Sequence, residues 1–168
     1  MTGIKVPLSF LLPPFYEERI DVSLDLTASF EEIIDKEPLI FDILSELNEE
    51  CLKPWEEKEK YIPSLLGKGK ELEPMITNFF QMRDRAGALV PMKQMVKIFL
   101  AFLFWTNSQP VHNLVQIKDA VSDLKIKPVN VEERLSYILS APNHHHAFTQ
   151  LKELFVELQK KYAISKLK

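Results

Sequence analysis

The sequence predicts an all-α fold: a single compact domain of about six to eight helices around a buried central helix, with an extended proline-rich arm over residues 1–28. Three observations carry this. Glycine supplies only 4 of 168 residues, against about 7% in ordinary proteins, and hairpins and phosphate-cradling loops use glycine freely. Apolar residues recur at steps of three and four along most of the chain, the spacing of one helix face. Every proline break is followed promptly by another helical pattern, with no Gly/Ser linker, internal repeat or low-complexity run to divide the chain.

The arm holds Pro7, Pro13 and Pro14 among large apolar residues, which forbids a continuous helix and favours extended backbone anchored by Phe10, Phe15 and Tyr16. Ser29, with Glu32 three residues later, is a capping-box pattern for a short helix. From Pro38, the residues Ile40, Ile43, Leu44, Leu47 and Cys51 place a second helix that reaches about Cys51. Pro54, Pro63 and the pair Gly67/Gly69 then cut the chain into short helical turns. Pro74 opens a helix with Ile76, Phe79 and Phe80 on its inner face, ending near Gly87 as a left-handed cap.

Pro91 starts the central helix, residues 92–106, whose run from Ile98 to Trp105 is apolar on every side. Eight residues fall far short of the ~20 that a bilayer needs, and Lys93, Gln94 and Lys97 interrupt any upstream extension. A less regular helix carries Leu114, Val115, Ile117, Val121 and Leu124. Asn130 caps a helix over residues 131–140 that buries Val131, Leu135, Ile138 and Leu139. The last helix runs from about Asn143 to Tyr162 and buries Phe148, Leu151, Phe155, Leu158 and Tyr162; two heptads are too few for a coiled coil.

Composition narrows the function classes. One cysteine, Cys51, allows no intramolecular disulfide, and the N-terminus lacks a charged start followed by an apolar stretch, so a cytoplasmic protein is expected. Net charge is −3. Residues 1–60 hold 6 Lys/Arg against 15 Asp/Glu, a balance of −9, and the remainder hold 15 against 9, a balance of +6. Such asymmetry can steer an acidic or basic partner, while interleaving of the two halves on folding is expected to leave a mixed, solvated surface.

The chemical motifs are few. The side chains of His144, His145 and His146 in a first helical turn point about 100° apart, so the outer two diverge and cannot share a metal ion. No His-Glu-x-x-His pattern accompanies them. Gly67-Lys68-Gly69-Lys70 lacks the glycine five residues earlier and the Ser or Thr of a phosphate loop. No Gly-x-Ser-x-Gly elbow is present, and Cys51 sits on an apolar face. The adjacent Glu pairs at 17/18, 31/32, 49/50 and 56/57 do not face one another on a helix and read as solvated surface. Arg83 and Arg85 flank Asp84 at a helix exit, where cations suit the C-terminal dipole and can pair with Asp84; the alternative is an anchor for a partner's carboxylate or phosphate. Lys160 and Lys161, with Lys166 and Lys168, form a basic tail.

Several of these segments together resemble the YpoC-like proteins of Bacillus relatives: Pro13-Pro14-Phe15-Tyr16, the run from Phe79 through Arg83-Asp84-Arg85 to Leu89, Phe104-Trp105-Thr106-Asn107 before Pro110-Val111, Lys127-Pro128-Val129-Asn130 leading to Glu133-Arg134-Leu135, and the run from His146 to Leu151. The resemblance covers nearly the whole chain. It implies a small cytoplasmic helical protein, transfers no catalytic residues, and carries a gene neighbourhood of replication initiation and base-excision repair.

The expected function is therefore a non-enzymatic protein-interaction or adaptor module, with no catalytic, cofactor or metal residues. Its partner-contact candidates are Arg83, Arg85, His144, His145, Lys160 and Lys161. An alternative is a nucleic-acid-associated accessory factor that binds weakly and loses affinity as salt rises. A third reading is a metal-dependent enzyme using the His144 to His146 segment. No membrane partner is expected.

Overall fold

A helix apolar all round must be covered all round, and the chain is arranged to do this for residues 98–105. The computed structural model describes residues 2–17 and 20–167. A strand pair, β1 (Thr2–Ile4) and β2 (Ile20–Leu24), is antiparallel with an irregular register. Seven α-helices follow among the described residues: α1 (Phe30–Lys36), α2 (Ile40–Glu46), α3 (Lys58–Gln81), α4 (Arg85–Thr106), α5 (Ile117–Ser122), α6 (Val131–Ser140) and α7 (His145–Ser165). The fold is all-α; the short strand pair is an addition that the sequence does not announce. Glu18 and Lys168 lie outside the described residues.

No residue between Ile98 and Trp105 is more than 2% exposed. α3 packs antiparallel along α4 as a helical hairpin, and α7 covers another side. There Phe99 meets Phe155 edge-on at 5.2 Å, and Phe102 lies 6.2 Å from Phe155 and 6.0 Å from Tyr162. Trp105 is covered by Phe30 of α1 at 6.2 Å and by Trp55 of a 3-10 turn, Pro54–Glu56, at 6.4 Å. α4 is long and apolar enough to cross a membrane by length and composition, yet 72% of that stretch is buried inside the protein. α6 packs on α5 and α7, and buries Val131, Leu135 and Ile138 while Leu139 is half-buried.

Several boundaries differ from the sequence expectation. α3 runs straight through Pro63, Gly67, Gly69 and Pro74, and α4 through Pro91. Each proline removes one helical hydrogen bond, a cost of about 3 kcal/mol in isolation. Packing of α3 and α4 along their length overrides these local preferences, since tertiary contacts supply most helix stability in proteins. α2 stops at Glu46 rather than reaching Cys51, because Asn48 turns left-handed and Glu49 donates back to the Leu44 carbonyl at 3.0 Å. Asn130 caps α6 through left-handed backbone with no side-chain bond, and α7 opens after His144 rather than at Asn143. Ser29 does cap α1, accepting from the Glu32 N–H at 3.3 Å.

The scarcity of glycine shows at helix ends. The left-handed residue after α3 is Arg83, φ 56°, not Gly87. The Arg83 N–H bonds the Phe80 carbonyl at 3.0 Å and the Asp84 N–H bonds the Phe79 carbonyl at 2.8 Å, a Schellman closure. Asn48 and Ser108 close α2 and α4 in the same way. Gly87 serves a different end: it lies in the first turn of α4, where its N–H caps onto Asp84 Oδ1 at 2.8 Å and a Cβ would sit 2.5 Å from Asp84 and Phe79.

Residues 4–17 form a strap. Val6, Phe10, Phe15 and Tyr16 are buried, and the Ser9 carbonyl accepts from Leu114 N at 2.8 Å and Val115 N at 3.0 Å. Replacing Phe102 with Asp buries a charge with no partner, at a cost of several kcal/mol out of a typical ~5–15. A thermal melt is expected to show a transition lowered by well over 10 °C or lost; an unchanged transition would mean that α4 is not enclosed.

Candidate functional site

The six partner-contact candidates separate into two places. Arg83 and Arg85 are exposed at the α3–α4 turn. His145 joins them at that end of the molecule, because its ring lies 5.3 Å from Phe80 in the last turn of α3. His144 precedes it as the exposed, extended N-cap of α7. Met82, 68% exposed, stands directly before Arg83. Lys160 and Lys161 are exposed near the other end of α7, about 22 Å along the axis at 1.5 Å per residue.

The histidines do not converge. While His145 lies against Phe80 and Phe148 (5.3 and 6.5 Å), His146 lies against Tyr137 of α6 at 5.3 Å. No group of three or more His, Cys, Asp or Glu able to hold a metal ion occurs among the described residues. Arg134 is committed within the fold: its Nε donates to Gln150 Oε1 at 3.0 Å, and its guanidinium pairs with Glu157 at 2.6 Å, tying α6 to α7.

A second constellation lies in the interior. Lys97, read from sequence only as a break in an apolar run, is buried on α4 with its ammonium 3.3 Å from Glu37 Oε2 and 4.0 Å from the Tyr16 ring centroid. The Tyr16 hydroxyl donates to Glu37 Oε1, which also receives the Leu39 N–H at 3.4 Å. Strap, α1 terminus and central helix therefore meet at one ion pair. Burial lowers the Lys97 ammonium from its usual range against the opposing pull of Glu37, and burial with the neighbouring Glu37 charge raises the Tyr16 phenol.

Asp42 on α2 is fully enclosed nearby. Its Oδ2 accepts from Trp105 Nε1 at 3.0 Å and from the Val111 N–H at 2.8 Å, and its Oδ1 has no hydrogen-bond partner. Burial pushes this carboxyl up to about 7 despite those two donors. The sequence signal for both sites was present: Asp42 stands between Phe41 and Ile43, and Lys97 between Val96 and Ile98, so each is a charge inside an apolar segment.

Where α3, α4 and α7 meet, a groove of about 120 Å³ is lined by Leu66, Lys70, Met95, Lys152, Phe155 and Val156. That is below the ~300–1,000 Å³ of ordinary small-molecule sites.

Residues 59–168 match the family described as YpoC-like protein. The chain belongs to the YpoC-like family. It is 29% identical over 136 residues to the "Uncharacterized protein YpoC" of Bacillus subtilis (strain 168), covering 81% of this chain and 82% of that relative. No solved structure matches.

On this YpoC-like chain the matched region holds α4 through α7, all of α3 but its first residue, and all six contact candidates. The strap, Glu37 and Asp42 precede it, although their partners Lys97, Trp105 and Val111 lie inside. Replacing Lys97 with Met leaves Glu37 buried without its cation and is expected to cost about 3–5 kcal/mol. Adding Glu37→Gln should recover much of that loss. Chemical denaturation of the two single variants and the double variant checks it: a Lys97→Met cost below about 1 kcal/mol would contradict the role given to the pair.

Proposed function

We propose that the chain is a cytoplasmic, non-enzymatic protein-interaction module whose contact surface is the α3–α4 turn beside the N-terminus of α7. The observation that carries this reading is the gathering of Arg83, Met82, Arg85 and His145 at one end, with Phe80 beneath His145. Arginine, methionine and aromatic residues are the types enriched where proteins meet, and arginine and aromatics dominate binding energy there.

Arg83 adds a conformational argument. A left-handed residue that is not glycine costs about 1–2 kcal/mol, and this one is held there by the closure of α3 and the Asp84 cap of α4. Among the left-handed residues Asn48, Arg83, Ser108 and Asn130, Arg83 is the one that carries a charge, and its turn holds that guanidinium exposed at the end of α3.

Affinity capture from native lysate, with parent and variant side by side, tests the proposal. Arg83→Gly relieves the strained backbone while deleting the guanidinium, so the double variant Arg83→Gly/Arg85→Ala is expected to melt at or above the parent temperature and to lose a reproducible protein partner. A partner retained by this folded variant, or turnover of a substrate by the pure protein, contradicts the reading.

A second reading rests on the exposed Lys160, Lys161 and Lys166 toward the end of α7. Phosphate-directed nucleic-acid binding would be steeply salt-dependent. Fluorescence anisotropy with duplex and single-stranded DNA at low salt decides it, and no binding there removes it.

A further inference from the structure

The buried charges do not balance. Among the described residues the interior encloses two carboxyls, Glu37 and Asp42, and one ammonium, Lys97, which is committed to Glu37. Asp42 therefore has no counterion, and an ionised carboxylate enclosed in an apolar core is stable only with one. The groups bearing on it from neighbouring elements do not supply one. Glu37 at the end of α1 raises its proton affinity, and Asp42 in turn raises the affinities of Tyr16 on the strap and Cys51 beyond α2. Lys58 of α3 directs its ammonium to the Thr106 carbonyl at 2.9 Å and to Ser108 Oγ at 3.0 Å. His112, in the loop after α4, is exposed with its ring 6.3 Å from Phe104.

We propose that Asp42 is a proton-operated latch: the closed fold holds a proton on this carboxyl, and losing it loosens the loop of residues 107–116 around Val111. In the neutral acid Oδ2 keeps both donors and no charge is buried. In the ionised state the charge draws water, and the loop is the side that yields. Trp105 is packed against Phe30 and Trp55 within the enclosed run of α4, whereas Val111 belongs to an irregular loop held by Val111 N on Asp42, by Leu114 N and Val115 N on Ser9, by Asn107 on Leu103 and Ile126, and by the buried Val111 and Leu114 side chains. A loop loosened at Val111 strains its two bonds to Ser9, while the strap itself stays tied through Tyr16 to Glu37 and through buried Phe10 and Phe15.

The sign follows from linkage. The closed-state value of about 7 lies above the solvated value of 3.8, so the closed state binds more protons than the open one between them. The stabilisation is full below about pH 4, declines as pH rises, and is gone above about pH 7. Within that window the opening equilibrium grows by up to about tenfold per pH unit, the limit for one linked proton.

An NMR titration of the full chain from pH 5 to 8 tests this, following the Asp42 carboxyl carbon and the exchange protection of the Val111, Leu114 and Val115 amides. The carboxyl is expected to titrate near neutrality, and the three protection factors to fall by up to about tenfold per unit up to pH 7. Asp42→Asn is expected to abolish the pH dependence. A carboxyl already ionised at pH 5 overturns the proposal in the parent protein alone, whether or not the variant folds. Titration near neutrality with unchanged amide protection overturns the latch.

Discussion

Enclosure of one helix on every side is the constraint from which the rest of the structure follows. A segment that is apolar around its whole circumference cannot rest on a surface, since any uncovered face would be an aggregation-prone patch. The chain meets this with α3 and α7 along two sides of α4 and with Phe30 and Trp55 over Trp105. This arrangement accounts for the prolines inside α3 and α4: once both helices are held by their neighbours, the loss of single hydrogen bonds no longer decides where they end.

Enclosure also sets a problem for the polar groups drawn inside with the helix. Lys97 is carried into the core by its place on α4, and its charge is met by Glu37 and by the face of Tyr16. This contact also fixes the strap, so residues 4–17 are bound to the body by chemistry as well as by buried aromatics. Asp42 meets the same problem through two donors, one of them the indole of Trp105 in the central run. The polar interior therefore holds the peripheral segments to the apolar core.

Helix number, the central run and the register of α6 were legible in the sequence, because each rests on a periodic apolar face that one neighbour can satisfy. Helix continuity was not. Pro63, Pro74 and Gly67 carry the local chemistry of a break, and only the packing of α3 on α4, a relation between distant residues, keeps the helix intact. The turn after α3 misled for a related reason: with only four glycines in the chain, left-handed closures fall to Asn48, Arg83 and Ser108, and Gly87 is reserved for a close approach. Of the candidate site, the arginines and histidines could be singled out by type, but their gathering at one end depends on α7 running antiparallel to α3. The buried Lys97 and Asp42 were visible as charges within apolar segments, and their partners, 60 and 63 residues away, were not.

The central claim is that the middle of α4 is released only when the whole domain opens. Native-state hydrogen exchange across increasing denaturant measures this directly, residue by residue. The amides of residues 98–105 are expected to exchange with the free energy and denaturant dependence of global unfolding, above those of the strap and the 107–116 loop. Exchange of those eight amides at a markedly lower free energy, with little denaturant dependence, would contradict it.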